Sequence, residues 1–110
     1  MVIARGLVDL ERFEEIFREV SATSKSLLNC KVLIDLADAR TRLELPDIAV
    51  LNSLGRDLLR PNHQIAFVSS TEIHKFDRLS VLSASLRSLG LKVAAFDDAK
   101  SAVVWLADIT

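Results

Sequence analysis

Two apolar runs of this chain end in residues that could do chemistry. KVLIDL, Lys31 to Leu36, carries Asp35 near its end, and QIAFVSS, Gln64 to Ser70, ends in Ser69 and Ser70 with Thr71 next. If both runs are strands of an open α/β sheet, these residues stand at the carboxyl ends of strands, where such sheets bind ligands. Hydroxyls beside the free N–H groups of a helix N-terminus suit a phosphate or another anion. His74, in the first turn of the helix expected there, adds a titratable nitrogen. The same residue types also act as caps, because short oxygen-bearing side chains satisfy loop and first-turn N–H groups. Asp35, Ser69, Ser70, Thr71 and His74 are therefore candidate ligand-binding residues, with capping as the rival explanation.

Other constellations are poorer. His63 and His74 lack a set of carboxylates or cysteines with metal-ligand spacing, so no metal centre is expected. Cys30 with His63 would supply a nucleophile and a base, but neither an orienting third residue nor an oxyanion hole is evident. A lone cysteine excludes an intrachain disulfide and is commonly a core residue. The glycines, Gly6, Gly55 and Gly90, are too dispersed for a phosphate-binding loop. A phosphoacceptor receiver domain would need an acidic pair after the first strand and a lysine after a late one. Arg5-Gly6 and Asp97-Asp98 occupy those places. The expectation is a protein that is not an enzyme, with no catalytic residue and no cofactor.

Composition agrees with a small soluble module. The 110 residues, half of them apolar, fit one domain spanning 1–110 and can bury a core unaided. Fourteen basic and fifteen acidic residues are interspersed, and tyrosine is absent, so nothing points to nucleic acid. No apolar run reaches membrane-span length, and the start lacks a signal-peptide core. A cytoplasmic protein is expected.

The elements that must position the candidates follow from hydrophobic spacing. Val2 to Ala4 reads as a brief first strand, ended by Arg5-Gly6. Leu10, Phe13, Phe17 and Val20 mark a helix capped by Asp9. Lys31 to Leu36 is a second strand, followed by a loop and by a helix that Pro46 opens. That helix has Ile48, Leu51, Leu54 and Leu58 on its buried side. Gly55 within it suggests a close approach to a neighbouring backbone. Gln64 to Ser70 is a third strand. Ser69 and Glu72 match a capping box for a helix carrying Phe76, Leu79, Leu82, Leu86 and Leu89, which Gly90 ends. Leu91 to Phe96 is a fourth strand, and Asp97-Asp98 opens the last helix. On that helix Ala99, Ala102, Val103, Leu106 and Ile109 share an apolar face, with Trp105 at its edge as a lid on the core. Four strand–helix units predict a single α/β domain with a mostly parallel four-stranded sheet and right-handed crossovers.

Three segments, KVLIDLADAR, HQIAFVSS and KVAAFDDAKSAVVWL, resemble the STAS-like proteins of the SpoIIAA-like family. The resemblance implies successive βα units wound as a right-handed superhelix, and a module that binds or regulates. Members that antagonise anti-sigma factors are switched by phosphorylation of a serine in an Asp-Ser pattern after the central strand. That pattern is absent here: the corresponding stretch reads DARTRLELPDI, where Thr41 is the hydroxyl that remains as a phosphosite candidate. Family members often carry one more N-terminal strand, paired with the one that here begins at Val2, so the resemblance implies either a minimal domain or an edge left to be paired.

Helices wound one way tend to cover one sheet face, yet Val32-Leu33-Ile34 and Ile65-Ala66-Phe67-Val68 are apolar on both. A large exposed apolar face usually marks an interaction site. The second face is thus expected to be covered by a protein partner, a like subunit or a small apolar ligand. The expected function is a regulatory or protein-interaction module. The alternative is a carrier or sensor of a small apolar or anionic ligand, such as a lipid.

Overall fold

A computed structural model describes residues 2–23, 30–69 and 73–107, with the side chains of 73–77 outside the description. The elements are β1 (Val2–Ile3), β2 (Gly6–Val8), α1 (Leu10–Thr23), β3 (Cys30–Asp35), β4 (Ala39–Thr41), α2 (Leu45–Leu58), β5 (His63–Val68), α3 (Ile73–Arg87), β6 (Lys92–Phe96) and α4 (Ala99–Ala107). The main sheet runs β1-β3-β5-β6, parallel throughout. This is the α/β architecture that the strand–helix alternation predicts.

β2 and β4 are not legible in the apolar pattern. They form a separate parallel ribbon, Gly6 opposite Ala39, Leu7 opposite Arg40 and Val8 opposite Thr41. Each continues a main-sheet strand past its carboxyl end: β1 passes through Ala4, whose N–H bonds to the Asp35 carbonyl, and β3 through a turn at 37–38. Gly6 does not merely end the first strand, as expected, but opens the second with a φ of 74°. That left-handed conformation is open to glycine at little cost and redirects the chain.

The main core lies between the sheet and α1, α2 and α3. Val32, Ile34, Ile65, Phe67 and Val93 meet Phe13, Ile16, Phe17, Ile48, Leu51, Leu79, Leu82 and Leu86 there. Burial of each such large apolar side chain contributes about 1.5–3 kcal/mol. The period-2 alternation sends Leu33, Ala66, Val68 and Phe96 to the opposite face. There they pack on Ala102, Trp105 and Leu106 of α4. The expectation that something outside the chain covers this face is corrected in that respect. Covering it needs a helix after β6, and α4 supplies one over β5 and its two neighbours. Coverage stops short of the sheet's β1 edge, where Ile3 is 50% exposed.

Caps open α1 and α4 where the sequence predicts them. Asp9 Oδ1 accepts the Arg12 N–H at 3.1 Å, and Asp98 Oδ1 accepts the Ser101 N–H at 2.7 Å. Asp98 Oδ2 takes the Ser101 hydroxyl at 2.9 Å. At α2 the Glu44 N–H donates to Asp47 Oδ2 at 2.9 Å. Gly90, with φ 86°, ends α3. Gly55 does permit a close approach, but to a side chain and not to a backbone: a Cβ there would lie 2.6 Å from Leu86 Cδ2 of α3.

Candidate functional site

Asp35 ends β3 half-buried, and its Oδ1 accepts the Ala37 N–H at 3.0 Å. This short loop closure is how aspartate stabilises a turn two residues on, and it makes β4 reachable from β3. Ladder register puts Asp35 opposite Ile3 on one side and Val68 on the other. It therefore belongs to the sheet face that α4 covers.

Ser69 follows Val68 and by alternation turns to the other side. It is buried, and its N–H bonds to the Phe96 carbonyl at 2.9 Å, while its Oγ has no hydrogen-bond partner among the described residues. The Glu72 N–H that the hydroxyl would cap lies outside the described residues. Ser70 and Thr71 lie outside the described residues, as does Glu72 of the expected capping box. His74 falls in the first turn of α3, and its side chain is outside the description. Thr41 is half-buried in β4, paired with Val8 and not with any residue of the Asp35 region. The described ligand candidates, Asp35 and Ser69, are thus split between two sheet faces, and the phosphosite candidate Thr41 stands apart on a ribbon.

The structure brings together a pair that spacing alone made unpromising. Cys30 and His63 are in-register neighbours on β3 and β5, both buried, on the face covered by α1 to α3. His63 also closes the turn before β5. Its N–H donates to the Arg60 carbonyl at 2.9 Å, and the Arg60 N–H donates back to His63 Nδ1 at 3.1 Å. Pro61 sits at the second turn position, where its fixed φ suits the bend. A neutral imidazole that accepts at Nδ1 carries its proton on Nε2. Burial, and secondarily the Arg60 charge, holds His63 below its ordinary value of 6.5. Nε2 is therefore a donor and not a base, which removes the proton acceptor that a Cys30 nucleophile needs. The pair also stands at the amino end of the strands, away from the end where open sheets place ligands.

Among the described residues no group of three or more His, Cys, Asp or Glu is arranged to hold a metal ion. No described helix is long and apolar enough to cross a membrane.

The surface of α4 is what the sequence pattern missed. Ala102 is fully buried and Leu106 half-buried as expected, but Val103 is 56% and Val104 65% exposed. Val103 thus leaves the face assigned to it from spacing, because α4 rests on the sheet through Ala102, Trp105 and Leu106. Trp105 stacks at a tilt on Phe96, with ring centroids 5.7 Å apart, and its carbonyl accepts from Gln64 Nε2 at 3.1 Å. It closes the smaller second core and not the main one. Lys100, Ser101, Val104, Trp105 and Ala107 border a broad, open depression on the outer side of the helix. An open, valine-bearing helix side can bury apolar area against another surface, but offers no enclosure for a reaction.

A scan against protein-family models and searches of curated proteins and of solved structures found no match.

Proposed function

We propose that this chain is a protein-interaction module that works by binding, with the outer side of α4 as its contact surface. The observation that carries this reading is the exposure of Val103 and Val104 on the very helix that covers the second sheet face. Two adjacent β-branched apolar residues on a nine-residue helix stay in water at a cost of about 25 cal/mol per Å². Burial against a partner or a second copy removes that cost. The resemblance of KVLIDLADAR, HQIAFVSS and KVAAFDDAKSAVVWL to STAS-like proteins supports the same reading, since modules of that kind bind and regulate. The consecutive parallel order of the main strands accords with successive βα units. The open form of the depression beside Trp105 favours a partner surface over the carriage of a small ligand. The test compares native mass spectra and sedimentation of the wild type with those of a Val103→Glu/Val104→Glu variant. A dimer or complex in the wild type that is lost in a folded variant is the expected result. A monomer carrying a co-purified small molecule would instead favour a carrier.

A further inference from the structure

We propose that the outer side of the β2–β4 ribbon docks an acidic, extended segment of another protein. The ribbon has an inner side, on which Val8, Ala39 and Leu43 join the main core. Its alternate residues face out: Leu7 is 50% exposed, and Arg40 and Arg42 are exposed. Arg40 stands directly opposite Leu7 in the ladder, and Arg5, also exposed, precedes the ladder's first pair. Strands of a pair lie about 4.8 Å apart, so a guanidinium stem and a leucine share one small patch.

Among the described residues, none of Arg5, Arg40 and Arg42 makes an ion pair or a side-chain hydrogen bond. Asp38, the carboxylate in the turn leading into β4, makes none either. In a chain whose net charge is −1, three uncompensated guanidiniums at one end of the sheet form a local positive field. Arginine pairs with carboxylates through two parallel N–H donors, which gives direction as well as attraction.

The occupant follows from what lies beside the charge. Among the described residues β2 has a hydrogen-bonded neighbour on one side only. An extended peptide can add to such an edge through its main chain, with alternate side chains giving specificity. A segment with acidic and apolar residues at every second position, and so on one face, would use every feature of the patch: backbone groups on β2, carboxylates on the arginines, an apolar side chain on Leu7. A nucleic-acid backbone would engage the arginines and leave the strand edge and Leu7 unused.

This surface shares no residue with the outer side of α4, so the two readings fail separately. The test is fluorescence anisotropy of a short labelled peptide with the core Glu-Thr-Val-Thr-Glu, which puts both glutamates and the valine on one face of a strand, titrated with the whole chain. Peptides with glutamine or lysine in place of glutamate serve as controls. The glutamate peptide is expected to bind, with an affinity that falls as salt is raised. Arg40→Glu/Arg42→Glu should weaken it about tenfold or more, with circular dichroism confirming that the variant folds. Val103→Glu/Val104→Glu should leave it unchanged. Absence of binding, equal binding of the glutamine peptide, insensitivity to the charge reversal, or displacement by a DNA duplex at equal charge would overturn the proposal.

Discussion

His63 is neutral in the fold because its ring is buried and accepts the Arg60 N–H at Nδ1; burial and the nearby Arg60 charge both oppose the protonated form, which would also lose that hydrogen bond. Above the ordinary value of 6.5, folded and unfolded chains both hold a neutral imidazole, and His63 adds no pH dependence. As pH falls through 6.5 the unfolded chain takes up the proton first, so stability declines down to the lowered pKa of the folded state. Denaturant midpoints measured across this window should therefore fall with acidity. His63→Asn, which keeps an acceptor for the Arg60 N–H but does not titrate, should flatten the slope. A second residue-scale expectation concerns Ser83, whose hydroxyl is fully buried without a hydrogen-bond partner among the described residues. An unpaired buried hydroxyl is unfavourable by about 1–3 kcal/mol, so Ser83→Ala should leave thermal stability unchanged or raise it by up to about 1 kcal/mol. Neither role could be read from the sequence. A histidine before a strand and a serine on a helix carry no local signal of burial; that depends on which strand and which helix face them.

At the scale of elements, legibility followed the length of the hydrophobic pattern. The four helices and four main strands repeat their apolar positions often enough to be recognised, and Asp9, Asp98 and Gly90 cap or stop helices where expected. β2 and β4 were missed because each is three residues long, with one apolar side and one carrying arginine or an exposed leucine. A ladder this short has too few alternations to stand out. Gly55 was recognised as a contact point, though its neighbour is Leu86. Gly55→Ala gains about 1 kcal/mol of helix propensity but forces a methyl group against a buried leucine. Overpacking costs about 1–3 kcal/mol, so a net loss of about 1 kcal/mol is expected in urea unfolding. Asp98→Ala removes the acceptor that caps α4, and Asp98→Asn retains one. Fraying of α4 in the alanine variant should shift Trp105 emission to the red, while asparagine leaves it near wild type.

On the scale of the whole molecule, the chain divides its apolar surface between two unequal cores. The larger lies under α1, α2 and α3, and the smaller is built from Leu33, Ala66, Val68 and Phe96 under α4. A Cα radius of gyration of 12.6 Å matches the roughly 13 Å of a single compact domain of this size. The sequence showed that both sheet faces are apolar, but not that one chain covers both, because that depends on where α4 turns after β6. The two described members of the expected ligand cluster, Asp35 and Ser69, are separated for a related reason. Asp35 and Ser69 end neighbouring strands, yet their positions differ by one step in the pleat, and one step reverses the face. Among the side chains left outward are Val103 and Val104 on α4 and Leu7 with Arg40 and Arg42 on the ribbon, the two surfaces proposed above for contact.

The central claim, that α4 presents a binding surface, is tested most directly by sedimentation equilibrium of the purified chain beside its Val103→Glu/Val104→Glu variant. The account expects a wild type heavier than a monomer, as a dimer or with a bound protein, and a folded variant that sediments as a monomer. A wild type that remains monomeric at every concentration, or a variant that associates as strongly as the wild type, would contradict it.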